Sequence, residues 1–160
     1  MDLNIYKELD KLTNYLKSNE RKKVINALKL SEHVHSNQLR KSGDPFIIHP
    51  LEVAKLLTSI KLDADSIAAG LLHDTLEDTN LNIVEIENKF GKQISDLVEG
   101  LTKINKYSLK NNNQKFGENY KKLILATTKD LRVILVKLAD RIHNMRTINF
   151  IYDNNKKTSI

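Results

Sequence analysis

The 160-residue chain contains no cysteine and no tryptophan. Without thiols it can form no disulfide and use no cysteine nucleophile, so any metal site must be built from imidazole nitrogen and oxygen ligands. Aromatic residues make up only 6% of the chain, and no basic patch interleaved with aromatic side chains is visible. Nucleic-acid binding favours such a patch. We therefore expect no nucleic-acid partner, despite the net charge of +6.

Long hydrophobic runs are also missing. No apolar stretch approaches the roughly 20 residues of a membrane-spanning helix, and the polar start Met1–Asn4 is not that of a signal peptide. We therefore expect a cytoplasmic protein with no membrane partner. The chain also lacks the strict alternation of apolar and polar residues that marks half-buried strands, which predicts an all-α fold. Nothing in the sequence indicates an oligomeric state.

Apolar residues recur at helical spacing along most of the chain. Their spacing predicts helices over residues 2–17, 20–38, 51–60, 82–90, 92–103 and 118–128, a central helix capped by Asp63 or Asp65 and ending near Thr79, and a long helix after Asp130. The polar, Asn-rich residues 104–117 predict a surface loop. His49 precedes a proline and is expected to be extended, with Pro50 opening the next helix.

The stretch Gly70–Thr79 changes abruptly from apolar to ionisable residues. It begins inside a helix with almost no polar face, which should be buried, and then brings His73, Asp74, Glu77 and Asp78 within six positions. Burying unpaired carboxylates costs several kcal/mol each, so a metal ion is the simplest compensating cation. A solvated helix end, where acidic residues are ordinary, is the alternative, and this stretch alone leaves both open.

A second apolar helix, Leu131–Ala139, also ends in polar residues. Asp140, Asn144 and Thr147 share one of its faces and offer a carboxylate, an amide and a hydroxyl. Two such helices packed side by side would enclose one polar pocket in an apolar wall.

The candidate metal ligands are two imidazoles and two carboxylates, from His49, His73, Asp74 and Asp140. Such a set suits Mn²⁺, Fe²⁺ or Zn²⁺. Another histidine, His35, lies on the apolar face of the second predicted helix. We interpret it as a hydrogen-bonded core residue and not as a ligand.

The candidate ligands lie in three blocks, Arg40–Pro50, Leu71–Thr79 and Val136–Thr147. A His-Asp pair on a buried helix, an upstream His and a distant Asp resemble the HD superfamily of metal-dependent phosphohydrolases. Within it, the three blocks and Gly100–Lys103 resemble the (p)ppGpp hydrolase domain of the RelA/SpoT homologues over about residues 25–150.

This resemblance implies a role for each matching residue. His49, His73, Asp74 and Asp140 would hold one Mn²⁺, and Glu77 and Asp78 would activate the attacking water. The nucleotide would be held by Arg40, Lys41 and Ser42, with Asn144 and Thr147 lining its ribose and base pocket. The implied reaction removes pyrophosphate from the 3′ position of guanosine tetra- or pentaphosphate, giving GDP or GTP.

The sequence departs from the family in two places. Phe46 stands where the family usually has Tyr, and the resemblance ends near residue 150, before the helices that close the family's hydrolase domain. We therefore expect a C-terminally short hydrolase domain over residues 1–152 and a polar tail over 153–160. A nucleotide-binding or regulatory remnant with weak turnover, or an HD phosphohydrolase for another nucleotide, remains an alternative.

Overall fold

A computed structural model of the chain describes the backbone of residues 3–109 and 130–147 and the side chains of residues 4–103 and 130–147. These ranges are mostly helical and contain no β-strand; one isolated antiparallel bridge joins Leu39 to Pro45. The predicted all-α class is thus confirmed. The described helices are α1 Leu3–Leu12, α2 Ser18–Val34, α3 Ile48–Ser59, α4 Ala64–Leu72, α5 Thr75–Asp78, α6 Ile83–Phe90, α7 Lys92–Leu109 and α8 Arg132–Arg146.

Helix α4 lies at the centre of the fold and packs against α2, α3, α7 and α8. Every residue of α4 except Asp65 is buried, as expected of a helix that is apolar all round. Its N-terminus is capped by Asp63, whose side chain accepts hydrogen bonds from the backbone N–H groups of Asp65 and Ser66 at 3.0 and 3.1 Å. Asp63, and not Asp65, is therefore the cap.

The central helix ends seven positions earlier than the sequence predicted, at Leu72 instead of Thr79. A turn at His73 and Asp74 separates α4 from the short helix α5. At this turn, His73 Nδ1 lies 2.8 Å from the carbonyl oxygen of Gly70, and Thr75 Oγ1 donates to that of Leu72 at 2.7 Å. Side-chain bonds of this kind compete with the helical backbone and favour a bend.

The prediction that His49 is extended was wrong. Helix α3 begins at Ile48, so His49 is helical and Pro50 is the third helical residue. Proline is tolerated there because the N–H groups of the first helical turn have no partner within the helix. The segment before α3 forms a tight turn. The backbone N–H of Arg40 donates to the backbone carbonyl oxygen of Asp44 at 2.8 Å, and Gly43 has a φ of +89°.

The end of helix α7 also differs from the prediction. Helix α7 continues through Gly100 to Leu109, so residues 104–109 are helical and not part of a loop. The rest of the predicted loop, the predicted helix 118–128 and the proposed boundary at residue 152 lie outside the described residues. Among the described helices, none is long and apolar enough to cross a membrane.

Gly70 allows α3 to approach α4 closely. A Cβ atom at this position would lie 2.6 Å from Leu57 Cδ1 and 3.4 Å from Val53 Cγ1. The first distance is well inside van der Waals contact, and Leu57 is itself fully buried. Any side chain larger than hydrogen at Gly70 would therefore push the two helices apart or displace Leu57.

We predict that Gly70→Ala destabilises the protein. In an exposed helix alanine would stabilise by about 1 kcal/mol relative to glycine, but overpacking a dense core costs about 1–3 kcal/mol. Urea unfolding followed by circular dichroism would measure the change in unfolding free energy. In the double variant with Leu57→Ala the extra methyl has room, so the two losses should be less than additive. A stabilised Gly70→Ala variant would show that the close approach is not real.

Candidate metal centre

Two imidazoles and two carboxylates from distant parts of the chain meet in one cluster. Asp74 Oδ2 lies 3.0 Å from Nε2 of His73 and 3.6 Å from Nε2 of His49. Asp140 Oδ1 lies 3.3 Å from Nε2 of His49 and 3.8 Å from Nε2 of His73. The structure thus brings together all four residues that the sequence suggested as metal ligands.

Each of these residues sits at the end of an apolar element. His49 lies in the first turn of α3, His73 and Asp74 form the turn after α4, and Asp140 follows the apolar part of α8. His49, His73 and Asp140 are buried, and their ligand atoms all lie within 4.8 Å of one another. Asp74 contacts both imidazoles but is not a member of this closest set. The arrangement matches a polar pocket enclosed by apolar helices.

His73 provides an independent indication that the cluster suits a metal ion. A carbonyl oxygen only accepts, so His73 Nδ1 must donate to Gly70, which in the neutral ring leaves Nε2 without a proton. This Nε2 is buried, and although Asp74 Oδ2 lies 3.0 Å away, the two atoms are not aligned as in a regular hydrogen bond. Unsatisfied buried polar atoms are costly, and a bare imidazole nitrogen beside carboxylates is a typical ligand for a divalent cation. The residues present therefore fit a metal.

Asp140 is held in its ionised form. Burial opposes its charge, but the hydrogen bond with His49 and the charges of His73 and Lys137 keep the pKa of Asp140 well below its usual range. Lys137 Nζ lies 2.6 Å from Oδ2, and Asn144 Nδ2 donates to Oδ1 at 2.6 Å. These contacts fix the carboxylate with Oδ1 toward the two imidazoles.

The buried imidazole of His73 and the half-buried carboxyl group of Asp74 form a close pair, 3.0 Å apart. Burial disfavours the charged form of both, yet their mutual attraction outweighs it, so the pKa of His73 is raised and the pKa of Asp74 is lowered. A metal ion that takes Nε2 of His73 as a ligand must displace the proton that this pairing favours.

The acidic residues Glu77 and Asp78 lie on α5, which directly follows the His73–Asp74 turn. Partial desolvation of the Asp78 carboxyl group and the nearby charge of Asp74 raise the pKa of Asp78. The backbone carbonyl of Asp78 accepts a hydrogen bond from Gln38 Nε2 at 2.7 Å. This bond ties α5 to the segment that follows α2.

His35 is a core residue, as predicted from its place on an apolar helix face. It is buried, its Nδ1 lies 2.7 Å from Gln38 Oε1, and its ring stacks on Phe46 with centroids 4.3 Å apart. Phe46 in turn contacts the ring of His49 edge-on. Phe46 therefore packs between two histidines.

Only some of the predicted nucleotide-binding residues reach the cluster. Arg40 extends to α8, where its Nη2 donates to Asn144 Oδ1 at 3.1 Å. Ser42 donates to Asp44 at 2.8 Å inside its own turn, and Thr147 donates to the carbonyl of His143 at 3.1 Å. Lys41 is exposed on the same turn as Arg40.

His143 belongs to the cluster, although it was not among the predicted site residues. Its Nδ1 lies 2.7 Å from Nδ1 of His49 and 3.2 Å from Nη1 of Arg40. Burial and the nearby positive charges of His49 and Arg40 lower the pKa of His143 to about 4, so its ring is neutral at physiological pH. Its spacing of three residues from Asp140 places both on one face of α8 and was the signal available in the sequence.

The all-helical fold, with a His-Asp pair after a buried central helix and a further His and Asp beside it, defines an HD-type domain. The sequence matches the HD domain family over residues 27–159. The chain therefore belongs to the HD-domain family and, within it, resembles the hydrolase domains of the RelA/SpoT homologues.

Several longer proteins of that group are similar to the chain. The "GTP pyrophosphokinase" of Myxococcus xanthus is 52% identical over 122 residues, which is 74% of this chain and 16% of that protein. The "Bifunctional (p)ppGpp synthase/hydrolase SpoT" of Escherichia coli is 38% identical over 154 residues, which is 96% of this chain and 22% of that protein. The chain thus spans between 16% and 22% of the length of these two relatives.

The fold is also found in a solved structure described as a metazoan ortholog of SpoT that hydrolyzes ppGpp. The TM-score is 0.62 at 26% sequence identity, and the match covers 79% of this chain and 70% of that one. The similarity extends over most of both chains.

Proposed function

We propose that the chain is a Mn²⁺-dependent guanosine-3′,5′-bis(diphosphate) 3′-pyrophosphohydrolase, which degrades (p)ppGpp to GDP or GTP and pyrophosphate. One observation carries the proposal: the buried set His49, His73 and Asp140, with Asp74 against both imidazoles, is followed directly by two carboxylates on α5. Metal ligands and candidate acid–base groups therefore lie within one turn of the chain from each other. The names of the similar proteins refer to (p)ppGpp or ppGpp, which supports this nucleotide as the substrate.

In this proposal the four cluster residues hold the metal. When bound, a divalent cation would lower the pKa of a coordinated water and polarise the phosphoryl oxygen. Lys137 and Asn144 hold the carboxylate of Asp140 in place through contacts of 2.6 Å each. His49, His73 and Asp140 are buried, and electrostatic interactions are stronger in such an environment than in water.

Glu77 and Asp78 handle the proton. The water oxygen bonds to the phosphorus next to the 3′ oxygen, the bond between that phosphorus and the 3′ oxygen breaks, and a proton reaches the 3′ oxygen of the departing nucleotide. A carboxyl group suits this transfer when its pKa lies closer to neutrality. The raised pKa of Asp78 is in that direction, while Glu77 lies half-buried one position before it.

Arg40 supports the choice of an anionic substrate. It is held against α8 by Asn144 and His143, so its guanidinium group has a fixed place beside the cluster. Arginine remains charged under nearly all conditions and pairs with phosphate through two N–H groups. Lys41, exposed on the same turn, adds a second positive charge.

We predict hydrolysis of guanosine tetraphosphate to GDP and pyrophosphate by the purified protein with Mn²⁺, and no hydrolysis with EDTA. Asp140→Ala should lose both Mn²⁺ and activity. Asp65→Ala, which removes an ion-paired carboxylate from the opposite end of α4, should keep both. Chromatography of the products measures hydrolysis, and elemental analysis of the protein measures its Mn²⁺ content.

Each other result would have a definite meaning. Turnover of GTP or of a dinucleotide in place of guanosine tetraphosphate would identify an HD phosphohydrolase for another nucleotide. Binding without turnover would identify a nucleotide-binding remnant. Full Mn²⁺ occupancy in Asp140→Ala would show that the assigned metal site is wrong.

We predict that Glu77→Gln lowers kcat without loss of metal, because it keeps the size of the side chain while removing its charge. The loss expected for a positioned acid–base group is about 10²–10⁴-fold. Glu87→Gln, on the exposed surface of α6, serves as the control. Unchanged turnover would exclude Glu77 from the mechanism, whereas loss of Mn²⁺ would make it a ligand.

We predict that Arg40→Ala and Lys41→Ala raise KM more than they lower kcat. Lys41→Ala should also flatten the dependence of KM on salt, because a screened ionic contact has been removed. Lys7→Ala, which removes the same charge from the exposed face of α1, controls for net charge. Steady-state kinetics at low and moderate salt measure KM and kcat of both variants. If both variants keep the wild-type KM, the nucleotide is recognised by other residues.

A further inference from the structure

We propose that Gln38 is a positioning residue, which holds the short helix α5 at a fixed place relative to the turn that carries Arg40. Helix α5 carries Glu77 and Asp78, the proposed acid–base groups. The inference rests on the proposed function for what α5 does, but Gln38 is not a proposed metal ligand. It lies between α2 and α3 and was not among the predicted site residues.

The C-terminal end of α5 is capped from outside the helix. Helix α5 has only four residues, Thr75–Asp78, and the chain leaves it in an extended conformation at Thr79. The last carbonyl groups of a helix have no N–H partner within it. Gln38 provides a partner for one of them, because its Nε2 donates to the backbone carbonyl oxygen of Asp78 at 2.7 Å. Gln38 therefore caps the helix that carries the two carboxyl groups.

The orientation of the Gln38 amide is determined by its two partners. A carbonyl oxygen only accepts, so the NH₂ group must face Asp78 and Oε1 must face the other way. On that side Oε1 lies 2.7 Å from His35 Nδ1, which therefore donates. His35 is buried, and its ring stacks on Phe46 with centroids 4.3 Å apart. The amide is thus held by a side chain that packing has already fixed.

The backbone of Gln38 is fixed as well. Its N–H donates to the carbonyl oxygen of His35 at 3.0 Å, and its own carbonyl oxygen accepts from the N–H of Phe46 at 3.0 Å. The second bond closes the base of the turn that contains Arg40, whose guanidinium group reaches Asn144 on α8. One residue therefore joins the proposed nucleotide-binding turn to the proposed acid–base helix.

These contacts predict a separation between binding and turnover. Substitution of the Gln38 side chain removes the cap on α5 but leaves both backbone bonds of this residue, so Arg40 keeps its place. Small displacements of reacting groups cost much of their effect on the rate. We therefore expect changes at Gln38 to lower kcat, with little change in KM or in the affinity for Mn²⁺.

The test uses two substitutions. Gln38→Met keeps the length of the side chain without its polar atoms, and Gln38→Glu keeps an acceptor for His35 but, when ionised, has no donor for Asp78. Gln93→Met removes an exposed amide from α7 and is the matched control. Thr58→Val removes a buried hydroxyl group from α3 and controls for loss of stability.

Two measurements are compared in all four variants. Hydrogen exchange followed by mass spectrometry, with and without Mn²⁺, measures the protection of the amide protons of α5. The same spectra measure the protection of α4, which serves as an internal reference for global unfolding. Steady-state kinetics with guanosine tetraphosphate measure kcat and KM.

We expect the protection of α5 to fall about 2–10-fold in both Gln38 variants, the effect of losing one hydrogen bond, while α4 keeps its protection. We expect kcat to fall about 10–100-fold in both. Gln93→Met and Thr58→Val should keep wild-type protection of α5 and wild-type kcat. Unchanged protection of α5 in Gln38→Met would overturn the proposal, and so would a wild-type kcat. If Gln38→Met does not fold, the same outcomes in Gln38→Glu decide.

His35→Phe tests whether His35 acts through Gln38, because it keeps a ring to stack on Phe46 but has no donor for Oε1. It should lower the protection of α5 less than Gln38→Met does. The double variant should be no worse than Gln38→Met alone, since both changes act on one chain of contacts. Fully additive losses would show that His35 acts on α5 by another route and would overturn this chain of contacts.

Failure of the proposed function would look different. In that case the wild type does not hydrolyse guanosine tetraphosphate, whereas the protection of α5 still falls in Gln38→Met. Failure of the positioning role instead leaves a wild type that hydrolyses the nucleotide and a helix α5 whose protection does not depend on Gln38.

Discussion

The carboxylates of Asp74 and Asp140 lie against two imidazoles in a part of the protein that the helices largely shield from water. Their negative charge must be balanced by positive charge, and this requirement determines how the site is built. Asp74 and Asp140 are held ionised, with pKa values below their usual range. Buried carboxylates are stable only when cations or hydrogen-bond donors surround them. Here Lys137, His73 and the amide of Asn144 provide part of this compensation. A divalent cation between the imidazole nitrogens would provide the rest.

The residues of the metal centre lie at the ends of helices that are otherwise largely apolar. Helix α4 is buried along nearly its whole length and ends at the His73–Asp74 turn, while α3 starts at His49. Gly70 leaves the space on α4 into which the side chains of Leu57 and Val53 from α3 pack. The rings of His49 and His73 thus come to lie with centroids 5.1 Å apart. The packing of apolar side chains between α3 and α4 therefore determines the distance between the two imidazoles.

The sequence predicted the helical class, the buried central helix and the convergence of the four ligand candidates, because each depends on apolar periodicity or on residue types at helix ends. It did not predict that the central helix stops at Leu72, since apolar periodicity does not register the side-chain hydrogen bonds by His73 and Thr75 that accompany the turn. Nor did it reveal His143. Its spacing from Asp140 places it on the same face of α8, but its contact with His49 joins two distant segments of the chain, and local spacing does not show such a contact.

The burial of α4 also has a consequence for the opening motions of the protein. Its amide protons lie under four neighbouring helices, so they should exchange with solvent only when the whole domain unfolds. The Arg40–Pro45 turn and the four-residue helix α5 include exposed residues, so their amide protons should exchange more readily, through local fluctuations. Among the described residues, the groups proposed to handle phosphate and proton thus lie in segments of lower protection than α4, which His73 directly follows. Substrate could enter and leave while the core stays closed.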